Sequence, residues 1–210
     1  MNEYSVNCHS SIRVFSLNKT VYFDPYNIEK QTNDADVIFI THPHYDHFSP
    51  DDIEKIRNDK TVVVFPQSAL KDIKNAGFAK DRMLPVSLDE CSNVCGFSFS
   101  CVPAYNLNKK FHPKSNGWLG YVVNFGEERV YVAGDTDALS ENAGIKCDVA
   151  FVPVGGTYTM DYNEAAAFVN ALKPKIAVPT HYGSIVGKKS DGESFKANIN
   201  KDIQVEILIK

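Results

Sequence analysis

No apolar run in this chain approaches the ~20 residues that a helix needs to cross a bilayer. The opening MNEYSVNCHS also lacks the apolar core of a secretory signal. The expected location is therefore the cytoplasm. Positive charge is scarce too: 22 Lys and Arg stand against 26 Asp and Glu, a formal net charge of -4. A protein that grips nucleic acid through bulk field needs the opposite balance, whereas a small anion held by a few local groups does not. The five cysteines (Cys8, Cys91, Cys95, Cys101, Cys147) are odd in number and form no CxxC pair. Neither a zinc ribbon nor a disulfide framework is expected, and the thiols read as reduced. No Ser/Gly-rich linker, repeat or low-complexity stretch divides the chain. With 43% hydrophobic and 23% charged residues, residues 1–210 read as one domain able to bury a full core.

Histidine, by contrast, is unevenly distributed. Three of the six lie in Thr41–Asp52, THPHYDHFSPDD, directly after the apolar run Val37-Ile38-Phe39-Ile40. Such a run reads as a strand buried on both faces, with the histidines on the loop at its carboxyl end. Ser49 is a helix cap, with Pro50 at the first helical position and Asp51 and Asp52 in the first turn. In an extended loop His42 and His44 point the same way and can grip one cation. Asp46 and His47, on the next bend, can grip a second. Imidazole and carboxylate together suit zinc, manganese or iron better than calcium or magnesium. Two ions roughly 3.5–4 Å apart can activate one bridging water.

This stretch resembles the HxHxDH signature of the metallo-β-lactamase-fold hydrolases, and within them the small single-domain branch that includes the ascorbate-phosphate lactonases. Two later stretches extend the resemblance: Gly134-Asp135-Thr136 at the end of RVYVA, and Thr180-His181-Tyr182-Gly183 after Ile176–Pro179. The resemblance implies a four-layer αβ/βα sandwich and two divalent transition-metal ions, zinc first and manganese or iron as alternatives. It makes Asp135 a carboxylate between the ions and His181 a ligand of the second, beside Asp46 and His47. It also implies a hydrolase in which a metal-bridged hydroxide attacks a small ester, lactone or phosphodiester, with Asp46 handling the proton. A phosphodiesterase or nuclease type, or a metal-binding protein without activity, is the alternative. Asp24, in the FDP context, would support the ligands; a strand-end turn is its plainer role. His9 and Tyr158 are further candidates near the metals or the substrate.

The chain departs from the pattern at the third histidine of the first ion. The strand Phe99–Ala104 runs into Tyr105-Asn106 where that histidine is expected. His112, six residues beyond Asn106 in KKFHPKSNGW, is the replacement we favour. Asn106 as a weaker ligand, or a site with two protein histidines, is the alternative. Lys109, Lys110 and Lys114 in the same loop suggest a small anionic substrate; a solvated loop explains them equally well. Homo-oligomer formation stays open. Asp161 and Glu164 have capping-box spacing for a helix over 161–172, which accounts for Asp161 without a metal.

Overall fold

The computed structural model describes residues 2–209. Successive side chains of a strand face opposite ways, and the central strands are buried at nearly every position because both faces are covered. Six strands form the first sheet in chain order: β1 (Glu3–Val6), β2 (Ile12–Ser16), β3 (Lys19–Phe23), β4 (Ala35–Phe39), β5 (Val62–Pro66) and β6 (Met83–Val86). Seven form the second, again in chain order: β7 (Cys91–Val94), β8 (Phe97–Pro103), β9 (Leu119–Phe125), β10 (Glu128–Val132), β11 (Val149–Pro153), β12 (Ile176–Thr180) and β13 (Gln204–Val205). Each sheet starts antiparallel and becomes parallel, from β3 onward in the first and from β10 onward in the second.

The faces sort by that alternation. Val37 and Phe39 of β4 turn inward to a core shared with Phe99, Tyr121, Phe125 and Phe151 of the second sheet. Ile38 and Ile40 turn outward and are covered by Ile53 and Ile56 of α1 (Pro50–Ile56) and Ile73 of α2 (Leu70–Asn75). On the far side, α3 (Tyr162–Leu172) and α4 (Asp191–Ala197) lay Ala165, Phe168, Val169 and Phe195 on Tyr131, Ala150 and Val152. The order is helix, sheet, sheet, helix: the four-layer sandwich expected from the motifs. Each large side chain moved out of water contributes roughly 1.5–3 kcal/mol, so the inter-sheet aromatic layer is the main fastening between the halves.

The caps are as read from the sequence. The Ser49 side chain accepts from the Asp52 N–H, and Pro50 begins α1. Asp161 accepts from the N–H groups of Asn163 and Glu164 at 2.8 Å each, while Glu164 accepts from the Asp161 N–H at 2.9 Å. Four elements escape the sequence reading. β1 is a mostly exposed edge strand with no apolar run to mark it. Residues 83–103 hold three strands where the apolar pattern of the sequence suggests two. The last segment holds the short α4 and the two-residue β13, too brief for periodicity to register.

Because the Asp161 box only holds a helix end, Asp161→Ala should cost about 1 kcal/mol. That lowers the melting temperature by roughly 2–4 °C for a chain of this size. Metal content should stay at the wild-type level, as elemental analysis would check.

Candidate metal centre

Where a parallel strand ends, its loop falls on the same edge of the sheet as its neighbours' loops, and here the chemically active side chains collect on that edge. Asp24 follows β3, the histidine motif follows β4, Asp135 follows β10 and His181 follows β12. His9 comes from the β1–β2 connection, and His112 from the long loop between β8 and β9. All are buried except His44, which is half-exposed.

Beneath the motif, Asp24 organises the loop. Its φ of +47° lies in the left-handed region, which turns the carboxylate back under Thr41. There it accepts from the Thr41 N–H at 2.8 Å and the Thr41 hydroxyl at 2.6 Å. It also lies 2.8 Å from His47 Nδ1. Holding the proton on Nδ1 leaves His47 Nε2 free for the interior of the site. His9 and His181 share the left-handed conformation, with φ of +53° and +59°. The His181 N–H donates to the His9 carbonyl at 2.9 Å, so the two loops brace each other. Gly134 also has positive φ, +66°, and a Cβ there would meet the Thr41 side chain at 3.1 Å. Only glycine lets the Asp135 turn sit this close to the motif.

Two donor sets result. His42, His44 and His112 offer nitrogens within 4.8 Å of one another. His9, Asp46, His47 and His181 form a second set under the same limit. Asp135 faces both: its oxygens lie 3.2 Å from His112 Nε2, 3.3 Å from His47 Nε2 and 2.9 Å from His181 Nε2. Trp118 packs against His42 and His44, ring centroids 4.8 and 4.7 Å away, and holds the first set in place.

Burial would raise the Asp135 carboxyl, yet the charges of His181 and His47 outweigh it and hold the group well below the usual carboxylate range. Burial would likewise discharge His47, but Asp135 and Asp24 keep its pKa well above that of a free imidazole. Burial opposes ionisation of Asp46 as well, while the hydrogen bond from His9 and the charge of His47 bring it down to about 2. His9 itself is pushed by burial down to about 4, so its neutral ring donates to Asp46 across 3.1 Å. His47 thus lies between two carboxylates, Asp24 at 2.8 Å and Asp135 at 3.3 Å. Even so, Nε2 of His47, His112 and His181 and Oδ1 of Asp135 have no hydrogen-bond partner. Buried groups of this kind are normally satisfied. Imidazoles and carboxylates aimed at shared points suit transition metals, and the residues present fit a metal centre of that kind.

Every site residue singled out in the sequence falls in or beside this cluster. His112 stands with His42 and His44, while the Asn106 side chain turns to His112 instead. Asn106 Oδ1 lies 3.1 Å from both His112 N and Nδ1, which orients His112 with Nε2 toward Asp135. His9 lies closer in than the sequence suggested, against the His181 ring at 3.8 Å. Tyr158 stands at the cavity wall, stacked edge-on with Phe111 at 4.6 Å. Sequence reasoning missed Asp137, whose carboxylate accepts from the Leu107 N–H at 2.8 Å and from Lys109 Nζ at 2.6 Å. It thereby ties down the loop that carries His112; the acidic residue two places after Asp135 was its only signal. Lys114 is likewise engaged, 2.7 Å from Glu141. Two of the three lysines behind the anionic-substrate expectation are therefore paired with carboxylates of the chain itself.

An αβ/βα sandwich with imidazoles and carboxylates gathered at one sheet edge is the architecture of a beta-lactamase superfamily domain, and the model of that family matches residues 4–182. A metal-dependent hydrolase of Nanoarchaeum equitans is 30% identical over 221 residues, covering 95% of this chain and 97% of that protein. A Pyrococcus furiosus protein of the same family is 31% identical, covering 96% and 92%. Among solved structures, a protein from Parabacteroides distasonis described as a metal-dependent hydrolase superposes with a TM-score of 0.83. It is 28% identical, over 99% of this chain and 93% of that one. The chain thus belongs to the beta-lactamase superfamily and, within it, to the UPF0173 family of metal-dependent hydrolases.

Asp24→Asn keeps the shape but loses the charge that fixes His47. Metal affinity should fall by roughly 10–100-fold, the usual scale for a lost ligand support. Competition against a chromophoric chelator would measure it, with far-UV circular dichroism checking that the fold is kept.

Proposed function

We propose that residues 1–210 form one hydrolase unit that uses two transition-metal ions, zinc first and manganese or iron as alternatives. His42, His44 and His112 would hold one ion; Asp46, His47 and His181 the other; Asp135 would serve both. The observation that carries this reading is the set of buried, unpartnered nitrogens around the Asp135 carboxylate. When bound, such ions polarise the carbonyl or phosphoryl oxygen of a substrate and make water a nucleophile near neutral pH.

The chain's own groups do the rest. Asp24 and Asn106 orient His47 and His112, so the donor nitrogens need no rearrangement before reaction. Asp46 lies on the cavity floor with its carboxylate oriented by His9. It is the group suited to take the proton from the attacking water and to pass it to the leaving group. Its low pKa makes it an anion at rest and a proton carrier only in passing. The substrate we favour is a small ester or lactone, with a phosphodiester second. The cytoplasm remains the favoured location, and the five unpaired thiols support it.

Purified protein should hold more than one equivalent of zinc, manganese or iron per chain and lose turnover of an ester and phosphodiester panel on chelation. Full activity with none of these metals by elemental analysis would sink the reading. Metal without turnover of any panel member would favour a binding protein.

Asp135→Ala should cost more than His112→Ala, since the carboxylate serves both sets. Each lost ligand should exceed the ~10–100-fold typical of lost supports. His112→Ala should weaken one ion and spare the other, a split that metal titration resolves. Equal metal content and turnover in Asp135→Ala and wild type would remove Asp135 from its role.

A further inference from the structure

Above the donor cluster opens a cavity of about 230 Å³. Its floor is polar, with Asp46, His112 and Asp135, while its walls are Tyr45, Phe111, Tyr158 and Ile185. Three of those wall residues are open to solvent: Tyr45 is 63% exposed, Phe111 48% and Ile185 37%. Only six large apolar side chains among the described residues are this exposed, and half of them ring this one opening. Apolar side chains scattered singly over a surface need no explanation, but a set grouped around a concave site marks a place where something binds. The walls are also stiffened by aromatic packing. Phe111 meets Tyr158 edge-on at 4.6 Å, and Tyr45 meets Tyr26 edge-on at 6.0 Å.

Charge points the same way. No lysine or arginine lines the cavity. Of the three lysines in the nearby loop, Lys109 and Lys114 are spent on Asp137 and Glu141, at 2.6 and 2.7 Å, and Lys110 is exposed and does not line the cavity. The cavity floor meanwhile presents two carboxylates, whose charge bound ions would balance. A phosphate or carboxylate far from the reacting bond would find no partner on these walls, and desolvating it would cost free energy.

We infer that the site is built for an uncharged small-molecule ester or lactone carrying one aromatic or branched apolar group, which lies between Phe111, Tyr158, Tyr45 and Ile185. This rests on the hydrolase reading above and replaces the anionic substrate suggested by the sequence. The volume is adequate: a dry cavity of about 150 Å³ already holds a benzene.

Hydroxamates, which chelate metal through one end, separate the walls from the floor. Zinc-loaded protein is titrated with acetohydroxamate, benzohydroxamate and succinic monohydroxamate, read by the fluorescence of Trp118. That residue is the only tryptophan and packs against His42. Benzohydroxamate should bind at least tenfold more tightly than acetohydroxamate, and the carboxylated probe no more tightly than acetohydroxamate. Phe111→Ala and Tyr45→Ala remove exposed side chains and should leave the fold intact. Each should cut the benzohydroxamate advantage to threefold or less, with acetohydroxamate unchanged. Equal affinities for the first two probes, or tightest binding of the carboxylated one, would overturn the inference and leave the hydrolase reading standing. Absence of metal and of binding by every probe would remove both. A dimer dissolved by Ile185→Asp, with no preference among probes, would assign the rim to self-association and overturn the inference as well.

Discussion

The buried carboxylate of Asp24 is the constraint on which the rest of the site depends. It has three partners within 2.8 Å, two from Thr41 and one from His47. A buried anion is tolerable only when its oxygens are satisfied, and removing one partner leaves the carboxylate to bear an unmet desolvation penalty. The loop after β4 is therefore locked twice, through its backbone at Thr41 and through an imidazole six residues later. From Thr41 the lock passes outward, since its hydroxyl also reaches His42 Nδ1 at 3.0 Å. One group thus orients a ligand candidate of each donor set.

That economy has a backbone cost. Asp24, His9 and His181 all occupy left-handed conformations that side chains with a Cβ disfavour, by roughly 1–2 kcal/mol each. Glycine would relieve the backbone at each place and remove the chemistry. Such strain persists only where the surroundings over-determine it. Here the bracing hydrogen bond between His181 and His9, and the three partners of Asp24, do so.

Much of this was legible before any coordinates. The apolar run 37–40 announced a two-faced strand, and the capping signals at Ser49 and Asp161 announced both helix starts, because these patterns are local and have local physical causes. The donor residues of HPHYDH, GDT and THYG stood out because their spacing is itself the chemistry. What escaped the reading depends on distant chain. Nothing local in Asn106 says that its amide will orient His112, and nothing in Lys109 says that Asp137 will neutralise it. The apolar rim was equally hidden: Tyr45, Phe111 and Ile185 come from three separate loops, so no window of sequence contains the patch. β1 and β13 were missed because edge strands of four and two residues carry too little pattern.

The two sheets contribute opposite halves of the centre. His42, His44, Asp46 and His47 ride on the first, while His112, Asp135 and His181 ride on the second. The halves are fastened beneath the site by the inter-sheet aromatic layer and by Tyr121, whose hydroxyl donates to the Ile40 carbonyl at 2.7 Å. The cluster therefore acts as a gauge of how one sheet is registered on the other. A slip of about 1 Å between them would leave each sheet's own hydrogen bonds whole and still pull the facing donors apart, enough to cost on the order of 10²-fold in rate. Repacking Phe39 or Phe99, in the layer beneath the chemistry, would announce itself as failed catalysis in a protein that still melts as one.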